Sequence, residues 1–555
     1  MGAHLENSWR KTALCTVCAV ALATVAACAP TAATAPLDAA DAPPLDHVAE
    51  GASEGSFSLN RTRTVILTGL KSISQRYIEE VDLDQLALDG IHGLAAIDPA
   101  LRTEVRADGL ALTLKGEEIA QLPLPAENSP QDWADVTATI IHVGRGYSLD
   151  LRSADNERIF EAVFDGMLAG LDPFSRYSGA EEARANRANR DGFGGIGIRF
   201  TKVDDGMLIT HVPEDSPAHD AGLKPGDVIM TIDGDAVAPH AAATVAELLH
   251  GPVGSQLTLG VKRLDSRAKG GERRLSIHLA RALIVNETVR AVLDDGVLTL
   301  RVTGFNKKTA SRIHEHLTRR ASDLASGAIR GVVMDLRGNP GGLLSQSVSV
   351  ADLFLADGRI IATRGRHPDS IHEYTATGED LAQGRPLAVL VDGDSASAAE
   401  IVASALQDLG RAVVIGSTSY GKGTVQTVIH LPNDGEVTLT WSRLMSPSGY
   451  AIEGLGVMPA VCASASETKT EFAPESRLTA DRIDAQRETL VAWRQAGIIF
   501  DGRRKTLRTA CPPKPLATGP GGDAPAKLAR AVFDDPGLYR RALLLSDPVT
   551  TAQKH

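Results

Sequence analysis

Around Leu298 the chain begins a regular alternation that runs to Gly416: VLTLRVTGF, TASRIHEHLTRRASDLA, GVVMDLRG, LLSQSVSVADLFL, PLAVLVDG, AAEIVASALQDL and AVVIG. The short apolar runs read as strands, and the runs with apolar residues at three and four spacing read as helices. Strands alternating with helices predict an α/β core: a mixed sheet with parallel segments, covered by helices. In open sheets of this kind sites form beyond the carboxyl ends of the strands. Asn339-Pro340-Gly341-Gly342 and Asp394 to Ser397 both fall there.

The rest of the chain must be placed around that core. With 555 residues it is too long for a single core, and three or four domains are the natural division. A formal charge of −12 leaves no basic patch, so nucleic acid is excluded as a partner. Arg10 and Lys11 precede an apolar run from Thr12 to Ala27, which has the layout of an export signal and is too short to span a membrane comfortably. It closes on Val25-Ala26-Ala27-Cys28, which resembles the lipobox of bacterial lipoproteins. That resemblance implies a lipidated Cys28 at the mature N-terminus and a membrane partner through the lipid; the competing reading is an ordinary cleaved signal. Residues 1–28 are then signal, and the Ala-, Pro- and Asp-rich residues 29–57 a disordered tether. Cys15 and Cys18 leave with the signal and Cys28 carries the lipid, so Cys462 and Cys511 remain in the exported chain. If a disulfide forms it joins those two, but the sequence does not set their separation.

Residues 58–185 read as a mostly helical N-terminal region. LALDGIHGLAAIDP and FEAVFDGMLAGLDP within it echo each other loosely, as two helices with similar Asp-Pro stops. Between 190 and 283 the pattern changes to short strands and glycine turns, with one helix at about Ala241 to His250. Gly192 to Gly197 formally matches the glycine fingerprint of a dinucleotide site, but Ile198-Arg199-Phe200 continues as strand where that site requires a helix. Gly195-Ile196-Gly197-Ile198 instead resembles the carboxylate-binding loop of PDZ domains, and SPAHDAGLKPGDVIMTIDGDAV resembles their other diagnostic stretch. A PDZ domain implies capture of a peptide C-terminus as an added strand. The bland alternative is a β-rich module without a ligand.

Two residues near the end of the alternation carry chemistry. Ser397 opens the AAEIVASALQDL helix, but Ser397-Ala398-Ala399-Glu400 is also a capping box, and those four residues alone favour the cap. A serine nucleophile needs a base. No histidine lies between His372 and His430, whereas Lys422 follows a strand between Gly421 and Gly423. Lysine serves as a base near neutral pH only when burial disfavours its charge, and a surface lysine is the simpler reading. Gly416 to Lys422 also approaches a P-loop. That reading fails because Gly423 replaces the metal-binding Ser or Thr and VQTVIHL continues as strand, which excludes a nucleotide partner.

Ser397-Ala-Ala-Glu400, Asp408-Leu-Gly-Arg-Ala, Gly421-Lys-Gly-Thr-Val-Gln426, Asp335-Leu-Arg-Gly-Asn-Pro-Gly-Gly342, Ser446-Pro-Ser-Gly449 and LDPFSRY occur in the order found in the C-terminal processing peptidases, and the chain resembles that S41 family of serine proteases over roughly residues 70 to 460. The resemblance implies a ClpP/crotonase-like protease core at 284–462, the inserted PDZ domain at 190–283 and an extension at 463–555 to which it assigns no role. It implies Ser397 as nucleophile, Lys422 twenty-five residues on as base, and Gln426 as the residue that orients the lysine, provided the chain bends at Gly423. The oxyanion would be held by Ala398 N–H and one from Gly341 or Gly342, and Asp408 would be structural. The chain departs from the family at Met458-Pro459-Ala460, where an acid commonly follows the proline, and at Ala399, which replaces a frequent serine. The expected function is an exported endopeptidase of the bacterial cell envelope or periplasm that uses neither metal nor cofactor. Its partners would be protein substrates, with room for an adaptor or self-association. The rival from another class is an inactive PDZ scaffold.

Overall fold

The structure is a computed structural model that describes residues 57–125, 128–265, 271–463, 479–497, 502–516 and 523–545. The signal, Cys28 and the tether as far as residue 56 lie outside the described residues, whereas Phe57, expected as the end of the tether, stacks on His142 with ring centroids 5.9 Å apart. Among the described residues no helix is long and apolar enough to cross a membrane.

The alternation becomes a six-stranded sheet in the order Val289–Asp294, Val297–Val302, Gly331–Asp335, Leu387–Val391, Val413–Gly416, Val461–Cys462. The first pair is an antiparallel hairpin and every later pairing is parallel. Parallel strands need crossovers and burial on both faces. Accordingly every residue of Gly331–Asp335, Leu387–Val391 and Val413–Gly416 is buried. Helices Thr309–Thr318, Leu344–Asp352 and Ala398–Asp408 are the crossovers. All eleven residues of Ala398–Asp408 are buried, as a helix that is apolar nearly all round demands. It packs against Arg359–Arg364, a strand of a second sheet that also contains His372–Thr375, Glu436–Met445 and Thr424–His430.

The C-terminal extension is part of the core. Helix Ala524–Asp534 packs on three strands of the parallel sheet, and Leu528, Val532 and Phe533 join its hydrophobic cluster. Gly331 makes room for the Phe533 ring, because a Cβ there would stand 2.4 Å from it.

The N-terminal region contains the expected helices, Leu59–Arg76, Leu83–Gly93, Pro130–Tyr147 and Asn156–Ala169. It also contains an antiparallel three-stranded sheet, Leu101–Arg106, Gly109–Leu114 and Glu117–Leu122, which the helical reading passed over. The missed signal was Lys115-Gly116, whose backbones both take positive φ (54° and 87°) in a tight hairpin turn. The two echoing segments pack on each other as helices. Their match is the mutual approach of Gly90 and Gly166: a Cβ on Gly166 would lie 2.3 Å from the Asp89 carbonyl oxygen. Arg176–Ser178, from LDPFSRY, then pairs with Glu436–Met445 and joins this region to the second sheet.

The PDZ segment has its own core and a sheet ending in the edge strand Arg199–Val203, with helix Ala242–Leu249. Its entry and exit, Phe193–Gly195 and Ala282–Ile284, pair antiparallel and close the insertion at its base.

Candidate active site

Three loops leave the carboxyl ends of neighbouring parallel strands and meet. They are 336–342 after Gly331–Asp335, 392–397 after Leu387–Val391, and 417–422 after Val413–Gly416. Hydrogen bonds tie them edge to edge. Ala396 N–H donates to the Asn339 carbonyl oxygen (2.9 Å), Gly338 N–H to Asp392 Oδ1 (2.9 Å), and Tyr420 N–H to the Ser395 carbonyl oxygen (3.0 Å).

Ser397 sits at the head of Ala398–Asp408 with φ 54° and ψ −113°. A non-glycine residue held there costs about 1–3 kcal/mol and persists only when its surroundings over-determine it. Glu400 supplies much of that constraint. Ser397 and Glu400 form the capping-box arrangement, but the Glu400 N–H donates to the Ser397 carbonyl oxygen (2.8 Å), and the carboxylate is the arm with a wider role. Its Oε2 accepts both the Ser397 N–H (2.8 Å) and the Lys422 N–H (2.9 Å). Its Oε1 accepts the Gly421 N–H (2.7 Å) and the Ser419 hydroxyl (2.5 Å). One fully buried carboxylate thus holds the backbones of serine and lysine on a single oxygen atom. Burial pushes its pKa above the ordinary carboxylate range, and these four donors offset only part of that rise.

Lys422 is half-buried, and burial is the main cause that lowers its pKa below the ordinary lysine range. The positive charge of Arg176 adds to the lowering, while Glu400 and Asp172 oppose it. The ammonium lies 4.9 Å from the centre of the Phe174 ring and hydrogen-bonds no side chain among the described residues. The Ser397 and Lys422 backbones therefore converge without a direct side-chain hydrogen bond. Catalytic contacts are often loose without substrate.

Gln426 is placed differently from expectation. Its amide donates to Thr424 Oγ1 (2.9 Å) and Thr440 Oγ1 (3.3 Å), not to Lys422. A strand irregularity lies between Val425 and Gln426, and it sets the register of the glutamine against its neighbouring strand. Thr440 Oγ1 in turn donates to Asp172, whose carboxylate also caps Phe174 and Ser175. LDPFSRY thus lies beside the lysine, a contact between residues more than 240 positions apart that sequence reading did not register.

At the glycine pair the structure separates two residues the sequence left as alternatives. The Gly341 N–H is taken by Asn339 Oδ1 at 2.8 Å, whereas those of Gly342 and Ala398 have no partner among the described residues. Gly341 provides closeness instead: a Cβ there would lie 2.9 Å from Ser397 Cβ and 3.1 Å from Ala398 N. Asp408 accepts the Ser448 N–H and hydroxyl (3.1 and 2.6 Å) and pairs with Arg494 at 3.4 Å, at the far end of the helix that Ser397 heads. In the PDZ segment Gly195 pairs with Ala282, and residues 196–198 lead into the edge strand, with the Ile196 carbonyl oxygen accepting Ala218 N–H. The sulfur atoms of Cys462 and Cys511 are bonded at 2.12 Å.

Residues 296–462 match the family model described as peptidase family S41, and residues 194–279 match the PDZ domain. The carboxy-terminal-processing protease of Bartonella bacilliformis is 38% identical over 55% of this chain and 69% of its own length. The chain belongs to peptidase family S41. Within this family of serine-type peptidases, the carboxy-terminal processing protease CtpA of Bacillus subtilis is 30% identical over 56% of this chain and 65% of its own length. Among solved structures, a photosystem II D1 C-terminal processing protease aligns with 72% of this chain and 92% of its own at 24% identity, with a TM-score of 0.37. The S41 match ends at the disulfide cysteine Cys462, so the helices that cover the second face of the sheet lie beyond it.

Proposed function

We propose that this S41 peptidase hydrolyses peptide bonds through an acyl-enzyme on Ser397, with Lys422 as the general base. The observation that supports this best is the shared carboxylate of Glu400, which presents the strained serine and the half-buried lysine together. Neutral Lys422 takes the hydroxyl proton as Ser397 Oγ attacks the substrate carbonyl carbon. The oxyanion is held by the N–H groups of Ala398 and Gly342, and the lysine passes its proton to the leaving amine. The same lysine then deprotonates the water that releases the acyl group, which restores the serine. Gln426 acts on the lysine at one remove, through the wall formed by Thr440, Asp172 and Phe174.

The PDZ edge strand Arg199–Val203 has no partner on its outer side among the described residues, which suits addition of a substrate's C-terminal strand beside residues 195–198. Substrates are then exported proteins with free or unfolded C-termini. The enzyme is anchored to the cell envelope through Cys28, and any adaptor or second copy would act on this capture step. In the deciding experiment, purified wild type, Ser397→Ala and Lys422→Ala are incubated with an unstructured protein. Peptide release by wild type alone, from variants with unchanged circular dichroism, is expected. Turnover by either variant refutes the mechanism, and binding without turnover by all three identifies a scaffold.

A further inference from the structure

The C-terminal extension touches all three catalytic loops. On the lysine loop, Arg508 donates through Nη2 to the Ser419 (3.2 Å) and Tyr420 (3.3 Å) carbonyl oxygens, and through Nη1 to that of Leu455 (2.6 Å) in a separate, later segment. A Cβ on Gly421 or Gly456 would lie 3.0 or 3.2 Å from this guanidinium, so both glycines leave it room. Farther along, the Cys511 and Lys514 carbonyl oxygens accept the buried hydroxyls of Thr418 (2.5 Å) and Ser417 (2.8 Å). On the serine loop, Gly393 N–H donates to the Lys514 carbonyl oxygen (2.9 Å) and Leu516 N–H to Asp392 Oδ2 (3.2 Å). On the glycine loop, Asp523 makes a two-pronged pair with the buried Arg337 (2.6 and 3.0 Å).

All of these contacts except the Asp523–Arg337 pair involve a backbone group, and none of them uses the Ser397 or Lys422 side chain. Glu400 holds the Ser419–Lys422 segment from the inside, and Arg508 holds the carbonyls of the same segment from the outside. The attachment is covalent at one point. Cys511 is bonded to Cys462 on the sheet's edge strand, forty-nine residues earlier, and both cysteines are buried. We propose that residues 502–516 and Asp523 form a brace that positions the catalytic loops, with Arg508 as the positioning residue for Lys422 and the Cys462–Cys511 bridge as its pin. This assigns catalysis-supporting residues to a stretch beyond the family match, so a chain ending after residue 463 would retain the catalytic groups and lose their alignment.

The proposal rests on the Ser397–Lys422 reading, and its test separates the two. The full chain is prepared as wild type, Arg508→Ala, Arg508→Lys, Cys462→Ala/Cys511→Ala and Ser397→Ala. Steady-state cleavage of one fluorogenic peptide is measured, with circular dichroism giving the folded fraction of each sample. Misplacement of a catalytic group by about 1 Å costs on the order of 10²-fold. Arg508→Ala is therefore expected to lose roughly 10- to 100-fold in kcat per folded molecule, with KM changed by less than about twofold. Millimolar methylguanidinium should restore part of that kcat, and methylammonium at equal concentration should not. Arg508→Lys should fall between, because one ammonium cannot serve three carbonyls in a planar fork. The double cysteine variant should lose kcat in the same way. Wild-type kcat per folded molecule in Arg508→Ala, or an equal effect of both additives, overturns the brace. Activity in Ser397→Ala overturns the catalytic reading on which it stands.

Discussion

Glu400 offers the sharpest test of how this site is held. In Glu400→Gln one side-chain oxygen remains, and it is expected to stay on the paired N–H groups of Ser397 and Lys422. The amide nitrogen then replaces Oε1. The Ser419 hydroxyl, which already accepts Val457 N–H at 2.7 Å, can turn and accept from the new amide, which leaves the Gly421 N–H facing a donor and takes the carboxylate acceptor away from the Ser419 proton. One buried unsatisfied donor costs about 1–3 kcal/mol. Glu400→Ala instead strands all four donors, which puts on the order of 4 kcal/mol or more at stake against a typical domain stability of about 5–15 kcal/mol. It also frees the strained Ser397 backbone. The glutamine variant is therefore expected to keep kcat within about tenfold of wild type, and the alanine variant to lose more than about 100-fold. A second readout has an independent sign. The negative charge of Glu400 raises the Lys422 pKa, so its removal in the glutamine variant should move the rising limb of kcat/KM to lower pH. The assay is peptide cleavage across pH, with urea unfolding of the same samples. An alanine variant with near wild-type kcat, equal kcat in the two variants, or a limb that moves to higher pH refutes the clamp.

Four further outcomes rest on the same geometry. Gly341→Ala places a Cβ 2.9 Å from both Ser397 Cβ and the Ala396 carbonyl oxygen at a residue with φ 107°; loss of an oxyanion donor costs about 10²–10³ in rate, and a kcat loss of that order is expected although the Gly341 N–H itself is not free. Wild-type kcat in that variant would show that the loop has slack. For the pH dependence, activity requires neutral Lys422, so kcat/KM should rise with pH through a pKa lowered chiefly by burial. Arg176→Ala removes a charge that lowers this pKa, so the limb should move to higher pH, and less so at high salt. The linked stability has the matching sign. Between the lowered pKa and the unfolded value the unfolded chain binds more protons, so Lys422 makes stability rise with pH there, and Lys422→Met should remove that rise in urea titrations.

Local patterns were enough to read the core strands, their crossover helices and the PDZ segment, because period and turn chemistry act over a few residues. The helical reading of 101–122 passed over signals that were present: Asp108-Gly109 at the first turn, Lys115-Gly116 at the second, and the alternation of Leu110, Leu112 and Leu114 in the strand between them. The proposed catalytic roles of Ser397 and Lys422 were legible only through the motifs of a family, since each residue had a sufficient local explanation as helix cap or surface lysine.

What the sequence by itself determined is the set of groups and the elements that carry them: Ser397 at a helix head, Lys422 between glycines, a glycine pair after a strand, and two cysteines. Only the tertiary structure decided how these groups are used. Glu400 reads locally as a cap because its partner Ser397 is three residues away, whereas its bonds to Ser419, Gly421 and Lys422 exist only once two parallel strands lie side by side. Gly342 became the open donor because a side chain folded back onto Gly341. The C-terminal extension had no readable role because its contacts are mostly to backbone carbonyls, amides and hydroxyls. Such contacts leave no signature in the residues they touch, so the brace behind the catalytic loops emerges only when distant segments are brought together.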